Sequence, residues 1–247
     1  MSAAAATAAR PGTLASLAAL YRLLLRTQVS IQRLVGIGAL SALSILIGVF
    51  ARADDDPSQA AADAVTSYGF GLLVPLAALW LGAAAVGDLV EDRLLVYLWL
   101  KPVSRWQLPA AAILATVTVV VPLTVLPLTV SAVAAGAGDV AWATPLAGTL
   151  GALAYSALFV AAGFWFRRAV WWGLAFVLVW ENFTGYLADG AARFTVFGWT
   201  SSVLGLVDGI DVELQAGSVA AGIVVLPAIA VASWLAAEWG YVRAEID

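Results

Sequence analysis

The sequence predicts an all-α integral membrane protein, and three observations carry that prediction. Of its 247 residues 63% are hydrophobic and 11% charged, with a mean hydropathy of +0.96, whereas an ordinary soluble domain has about a quarter of its residues charged. Six apolar segments follow one another, at 34–51, 68–87, 106–135, 144–166, 169–187 and 216–240. Each is long enough, or nearly so, to cross a hydrocarbon core that takes about 20 helical residues. The charges lie almost entirely between these segments, and basic residues collect in alternate loops. Residues 14–247 are therefore expected to form a single transmembrane domain.

Composition also narrows function. The chain has no Cys and no His, which removes disulfides, thiolate or imidazole metal sites, Ser-His and Cys-His catalysis and haem ligation. No catalytic set, metal site or cofactor is expected in this chain. The net charge of −4 is spread over loops and offers no basic surface for nucleic acid. One lysine stands against eleven arginines in an Ala- and Gly-rich chain. That usage fits a GC-rich prokaryotic genome and, with the apolar segments, the cytoplasmic (inner) membrane.

Residues 1–13 are Ala-rich, without a basic start or a long apolar core. They do not read as a secretory signal and are expected to be a disordered cytoplasmic end. From Leu14 to Arg33, Leu17, Leu20, Leu24 and Ile31 share one helical face while Arg22, Arg26 and Arg33 share the opposite one, at 100° per residue. This pattern predicts an interfacial helix, with leucines in the acyl boundary and arginines toward headgroups. A cytoplasmic extension of the first span is the other reading, since no breaker separates it from Leu34. The third apolar segment is over-long and holds Pro109, Pro122 and Pro127, which predicts a kink or break near Pro122.

With both termini inside, ten basic residues (Arg10, Arg22, Arg26, Arg33, Arg93, Lys101, Arg105, Arg167, Arg168 and Arg243) are cytoplasmic and two, Arg52 and Arg193, are outside. That bias sets the expected orientation. After the fifth span, Ala188 to Gln215 holds a semi-apolar piece, Phe194 to Val207, interrupted by Gly198 and Gly205. It is too short to span and is expected to form a re-entrant hairpin of two short helices packed against protein on the outer side.

The densest group of charges is Asp88 to Arg105, DLVEDRLLVYLWLKPVSR, between the second and third spans. Leu94 to Leu100 is too short to cross, and Pro102 disfavours helix at Lys101. A short surface helix on the cytoplasmic side is expected. EDRLLVYLWLKPVSRW resembles the loop between the second and third membrane helices of ABC exporter permeases of the multidrug and polysaccharide class, although Arg93-Leu94 stands where that family carries Gly-Thr or Gly-Ser. VLVWENFTGYL followed by FTVFGWTSSVL is similar to the same family, in which a Trp-Glu closes the fifth helix before an outer hairpin. With the interfacial helix and six spans, the resemblance covers nearly the whole chain.

The resemblance implies a permease subunit that pairs with a second copy or a paralogue and is driven by two ATPase subunits, which would hold ATP and Mg. Glu91, Asp92, Arg93, Leu94, Tyr97, Trp99, Lys101, Pro102 and Arg105 would form the coupling surface for the ATPase. Glu181, Asn182 and Phe194 would lie at the substrate path or outer gate. No G-x-x-x-x-G-K-[ST] occurs and the one lysine sits in Trp-Leu-Lys-Pro, so ATP would have to be bound by a partner. A secondary transporter, or another polytopic membrane protein not driven by ATP, is the alternative. Gly136-Ala137-Gly138-Asp139 matches the G-x-G-D of intramembrane aspartyl proteases, but the Tyr-Asp that should accompany it is missing.

Glu181 is the most buried-looking acid, about three turns into the fifth span. Two roles are open: a structural carboxylate that accepts hydrogen bonds from the following hairpin, or a group in the substrate path.

Overall fold

The computed structural model describes residues 13–91, 104–166, 168–181, 191–212 and 214–244. Among the described residues all regular structure is helical, with no strand. The expected disordered end, the surface helix at Leu94 to Leu100, and Asn182 lie outside them.

α1 (Thr13–Gln28) and α2 (Ile31–Ala51) are separate helices. The break at Val29-Ser30 comes earlier than the one expected before Leu34. Ser30 is extended and its Oγ accepts from Arg33 N, an N-cap that starts α2 afresh. The leucine face of α1 is covered by protein: Leu20 and Leu24 are buried in a cluster with Val86, Ala111, Ala112 and Ala115. This corrects the expectation that these leucines lie among acyl chains. Gln28, fully buried on the same face, donates from Nε2 to Thr116 Oγ1 at 3.0 Å. Arg22 and Arg26 face outward as expected. Ile31 does not join the leucines, because it falls beyond the break and is exposed.

α3 runs over 57–91 as an α-helical turn Pro57–Asp63, a π-helical stretch Ala64–Leu73 and a long α-helix Val74–Glu91. It begins eleven residues before the apolar run expected at Tyr68. Asp56 accepts from Ser58 N and Gln59 N, both at 3.1 Å, and Pro57 occupies the first turn, the combination that starts helices in any setting.

α4 (Gln107–Ala135) carries a π stretch, Val121–Val125, at the predicted break near Pro122. The helix stays continuous because neighbouring groups serve the backbone the prolines leave short. Pro127 has no N–H for the Leu123 carbonyl four residues earlier, and Ser41 Oγ of α2 donates to that carbonyl instead. α2 and α4 also touch at Gly48, where a Cβ would collide with the Ser131 backbone, and Ser131 Oγ donates to Ser44 O at 2.6 Å. Ser44-x-x-x-Gly48 thus packs helices within the chain.

Gly136 ends α4 with φ 86° and leads directly into α5 (Gly138–Trp165). Its left-handed conformation is the helix-capping use of glycine, and Asp139 lies in the first turn of α5. α6 covers Ala169–Glu181, its last part π-helical. A 3₁₀ turn, Ala191–Phe194, precedes the short α7 (Val196–Leu204), and α8 is Val219–Ala244. α5 is central, packing on α3, α4, α7 and α8.

Five stretches are long and apolar enough to cross a membrane: Ile31–Ala51, Pro57–Gly87, Gln107–Ala135, Gly138–Trp165 and Val219–Arg243. They identify the chain as a membrane-embedded helical protein. α6 is a shorter apolar helix, and the remainder of the segment expected to span at 169–187 lies outside the described residues.

Side-chain contacts define two ends. Trp165 Nε1 donates to Ala236 O, Trp234 Nε1 to Trp106 O and Ser16 Oγ to Gln107 Oε1, and the Arg243 guanidinium sits over the rings of Trp165 and Trp239. At the other end Gln59 clips to the 205–218 segment, accepting from Asp211 N and donating to Asp211 O, both at 2.8 Å.

Candidate functional site

The site is built around the last residue of α6. Glu181 has no exposure to solvent. Three donors converge on its carboxylate. Val196 N donates to Oε1 at 3.1 Å, Phe197 N donates to Oε2 at 2.8 Å, and Tyr155 Oη donates to Oε2 at 2.8 Å. Val196 and Phe197 are the first two residues of α7, so the carboxylate rests on two of the backbone N–H groups that a helix start leaves without intrahelical partners. The positive end of the helix dipole faces it as well.

The third N–H of α7 is served locally. Thr195 Oγ1 accepts from Gly198 N at 3.0 Å and donates to Ala192 O at 2.8 Å, a Thr N-cap. Tyr155, from the middle of α5, is fully buried and stacks on Phe159, with ring centroids 6.0 Å apart. That stacking helps fix the phenol where it meets Glu181. Trp180 Nε1 adds a second tie from the end of α6, to Phe194 O at 3.2 Å.

α7 is held along its length too. Ser202 Oγ donates to Gly198 O at 2.7 Å and accepts from Ala216 N at 2.9 Å and Gly217 N at 3.2 Å. This closes the return of the chain toward α8. Thr200 lies against Gly151 of α5, where a Cβ would strike its side chain. Thr200, Ser201 and Ser202 are all fully buried, and the hydroxyls of Ser201 and of Ser156 on α5 have no hydrogen-bond partner among the described residues. Among the described residues the expected pair of short helices is one 3₁₀ turn and one α-helix, followed by irregular chain.

Of the residues expected at the outer gate, Glu181 is at the centre of this cluster. Phe194 contributes its carbonyl while its ring is exposed, and Asn182 lies outside the described residues. Sequence reading missed Tyr155, Thr195 and Ser202. A buried tyrosine among apolar neighbours carries no local signal, and Thr195 was available only as a helix-start residue next to Val196. Of the expected coupling surface, Asp92, Arg93, Leu94, Tyr97, Trp99, Lys101 and Pro102 lie outside the described residues. Glu91 is the last residue of α3, and Arg105 is exposed just before α4.

Chemically the arrangement is an anchor. No group of three acidic, Cys or His side chains that could hold a metal ion occurs among the described residues. Both oxygens of Glu181 accept from backbone N–H groups, which ties the end of α6 to the start of α7 and, through Tyr155, to α5. Compared with known proteins, the chain matches no family model and no curated protein.

Proposed function

We propose that this chain is the membrane-spanning permease subunit of an ATP-driven exporter of the ABC type, working as a pair and powered by two separate ATPase subunits. The observation that carries the reading is the run EDRLLVYLWLKPVSRW at its place in the element order. It joins α3, ending at Glu91, to α4, beginning at Gln107, at the end of the bundle where Arg105, Arg168 and Arg243 collect. An apolar ridge with Tyr97 and Trp99, flanked by charges of both signs, suits a protein contact surface. The basic bias of that end makes it cytoplasmic, where ATP is found.

In this reading ATP and Mg bind in the ATPase pair, whose closure pushes on the 92–103 segment. Movement passes along α3 and α4 to α5, and from Tyr155 to Glu181 and α7, which together with Asn182 and Phe194 form the outer gate. The anchored α7 supports this scheme because it links α5, α6 and α8 at the end away from Glu91 and Gln107, where the coupling segment joins the bundle. A secondary transporter is the second reading, favoured by the presence of one buried acid. Engagement of both Glu181 oxygens by fixed backbone donors suits an anchor better than a site that must take up and release a proton or ion.

The test is affinity purification of the chain from its native membrane in mild detergent. The expected result is an ATPase subunit at one copy per permease and ATP hydrolysis in the eluate. A chain that comes out active in transport without any nucleotide-binding partner excludes the reading.

A further inference from the structure

Three helices, α3, α4 and α6, carry a π-helical stretch, and two of these stretches have a cause in the local sequence. The one in α4 holds Pro122 and is soon followed by Pro127. The one in α3, Ala64–Leu73, is followed by Pro75, which brings no N–H toward the Gly71 carbonyl four residues earlier. A proline removes an i→i−4 bond, and a wider turn lets the helix continue past it. The third stretch, Phe176–Glu181 of α6, reads FVLVWE and has neither proline nor glycine within it. Nothing in that run calls for π turns, which close i→i+5 bonds and so take up one more residue than α turns do.

What fixes this stretch is tertiary contact at both of its ends. At the start Phe176 meets Phe159 of α5 edge to face, with ring centroids 6.3 Å apart. Three residues earlier Gly173 lies so close to Leu79 of α3 that a Cβ would strike it. At the other end Glu181 accepts from Val196 N, Phe197 N and Tyr155 Oη, and Trp180 Nε1 donates to Phe194 O. Glu181 is buried, while Leu178, Val179 and Trp180 are exposed. A regular α-helix from the same start would carry each late residue about one position further round, ~100°. Glu181 would then leave the start of α7, and Trp180 would come round to its place.

We propose that the π stretch of α6 is a conformational switch latched by Glu181. With the carboxylate on α7 the stretch is π-helical; with the carboxylate withdrawn it winds into an α-helix and releases α7 from α6. The α form is the one the local sequence favours, and the hydrogen bonds made by Glu181 and Trp180 hold the other. Winding replaces the Glu181 side chain by the larger Trp180 ring, which α7 has to move to admit, and it breaks the Trp180–Phe194 bond in the same step. Single π stretches within α-helices recur at functional sites, and a helix that has two arrangements at one point suits a bistable element. The inference depends only on the chain being a membrane-embedded bundle and is independent of the exporter reading.

The test uses the full chain in phosphatidylcholine nanodiscs, with single spin labels on Val179→Cys or Trp180→Cys in this Cys-free sequence. Oxygen accessibility reports which label faces lipid, and hydrogen exchange reports the α7 amides. With Glu181 present both labels should be accessible. In Glu181→Leu the label at 180 should become shielded while that at 179 stays accessible, and the start of α7 should exchange faster, on the order of tenfold. Deletion of Val179 removes the surplus residue, so an α-helix then delivers Glu181 to the same donors. That variant should keep parental exchange in α7, a result that does not require Glu181→Leu to fold. Accessibility unchanged by Glu181→Leu while α7 exchanges faster overturns the proposal and leaves Glu181 as a plain tie. A Val179 deletion that fails to fold, or whose α7 exchanges faster than in the parent, overturns it as well.

Discussion

At the scale of single residues, Glu181 is defined by which atoms donate to it. Because each carboxylate oxygen accepts from a backbone N–H, Glu181→Gln is not a silent change. Whichever way the amide is turned, its NH₂ faces an N–H of Val196 or Phe197. We expect a loss of about 1–3 kcal/mol. Glu181→Leu should lose more, since it leaves two N–H groups and the Tyr155 hydroxyl without an acceptor. Tyr155→Phe should lose least, because the two backbone donors remain. Thermal or denaturant unfolding of the three variants in one detergent checks the order, and a Gln variant as stable as the parent contradicts the anchor geometry. The burial of Glu181 was legible in the sequence from its depth in an apolar run, and acceptance of hydrogen bonds from the following hairpin was one of the two roles left open. Tyr155 was not legible as its partner. It lies 26 residues earlier on another helix, and only tertiary packing brings the two together.

At the scale of elements, hydropathy located the helices, while their starts depended on polar residues beside the apolar runs. The Asp56-Pro57 start of α3 and the Ser30 start of α2 were both written in the sequence, but as capping residues that an apolar-window reading passes over. The π stretch at Val121–Val125 fell where the prolines predicted trouble. What the sequence could not show is that Ser41, 82 residues away from Leu123, would supply the donor that Pro127 lacks. Ser41→Ala should therefore leave the Leu123 carbonyl without that donor inside the bundle and cost about 1–3 kcal/mol. Ser41→Thr, which keeps a hydroxyl, should recover part of the loss. Gly48→Val should cost at least as much, since its side chain meets the Ser131 backbone and a close helix contact has to open. Unfolding midpoints measured at equal membrane expression test both, and an unchanged midpoint in Ser41→Ala would show that the α2–α4 bond does not support the π turn.

At the scale of the whole molecule, membrane embedding follows from composition and from five helices of spanning length, while the direction of insertion rests on the arginine distribution. A Cys-free chain allows that direction to be read directly. Single cysteines replacing Asp92 and Asp208 should differ, the second reacting with an impermeant maleimide in intact cells and the first only after lysis. The reverse pattern contradicts the orientation and, with it, the placing of the coupling segment next to the ATPase. The functional account turns on that segment making a protein contact and not simply lying on lipid. Charge decides between the two, because reversing Glu91 and Asp92 to Lys would leave a lipid-held segment undisturbed, or strengthen it against anionic headgroups, while a docked segment would lose its orienting charges. The most direct measurement is therefore ATPase co-purification and substrate-stimulated ATP hydrolysis for Glu91→Lys/Asp92→Lys at unchanged membrane expression. The account predicts loss of the ATPase from the complex, or hydrolysis no longer coupled to transport; parental values in both assays would contradict it.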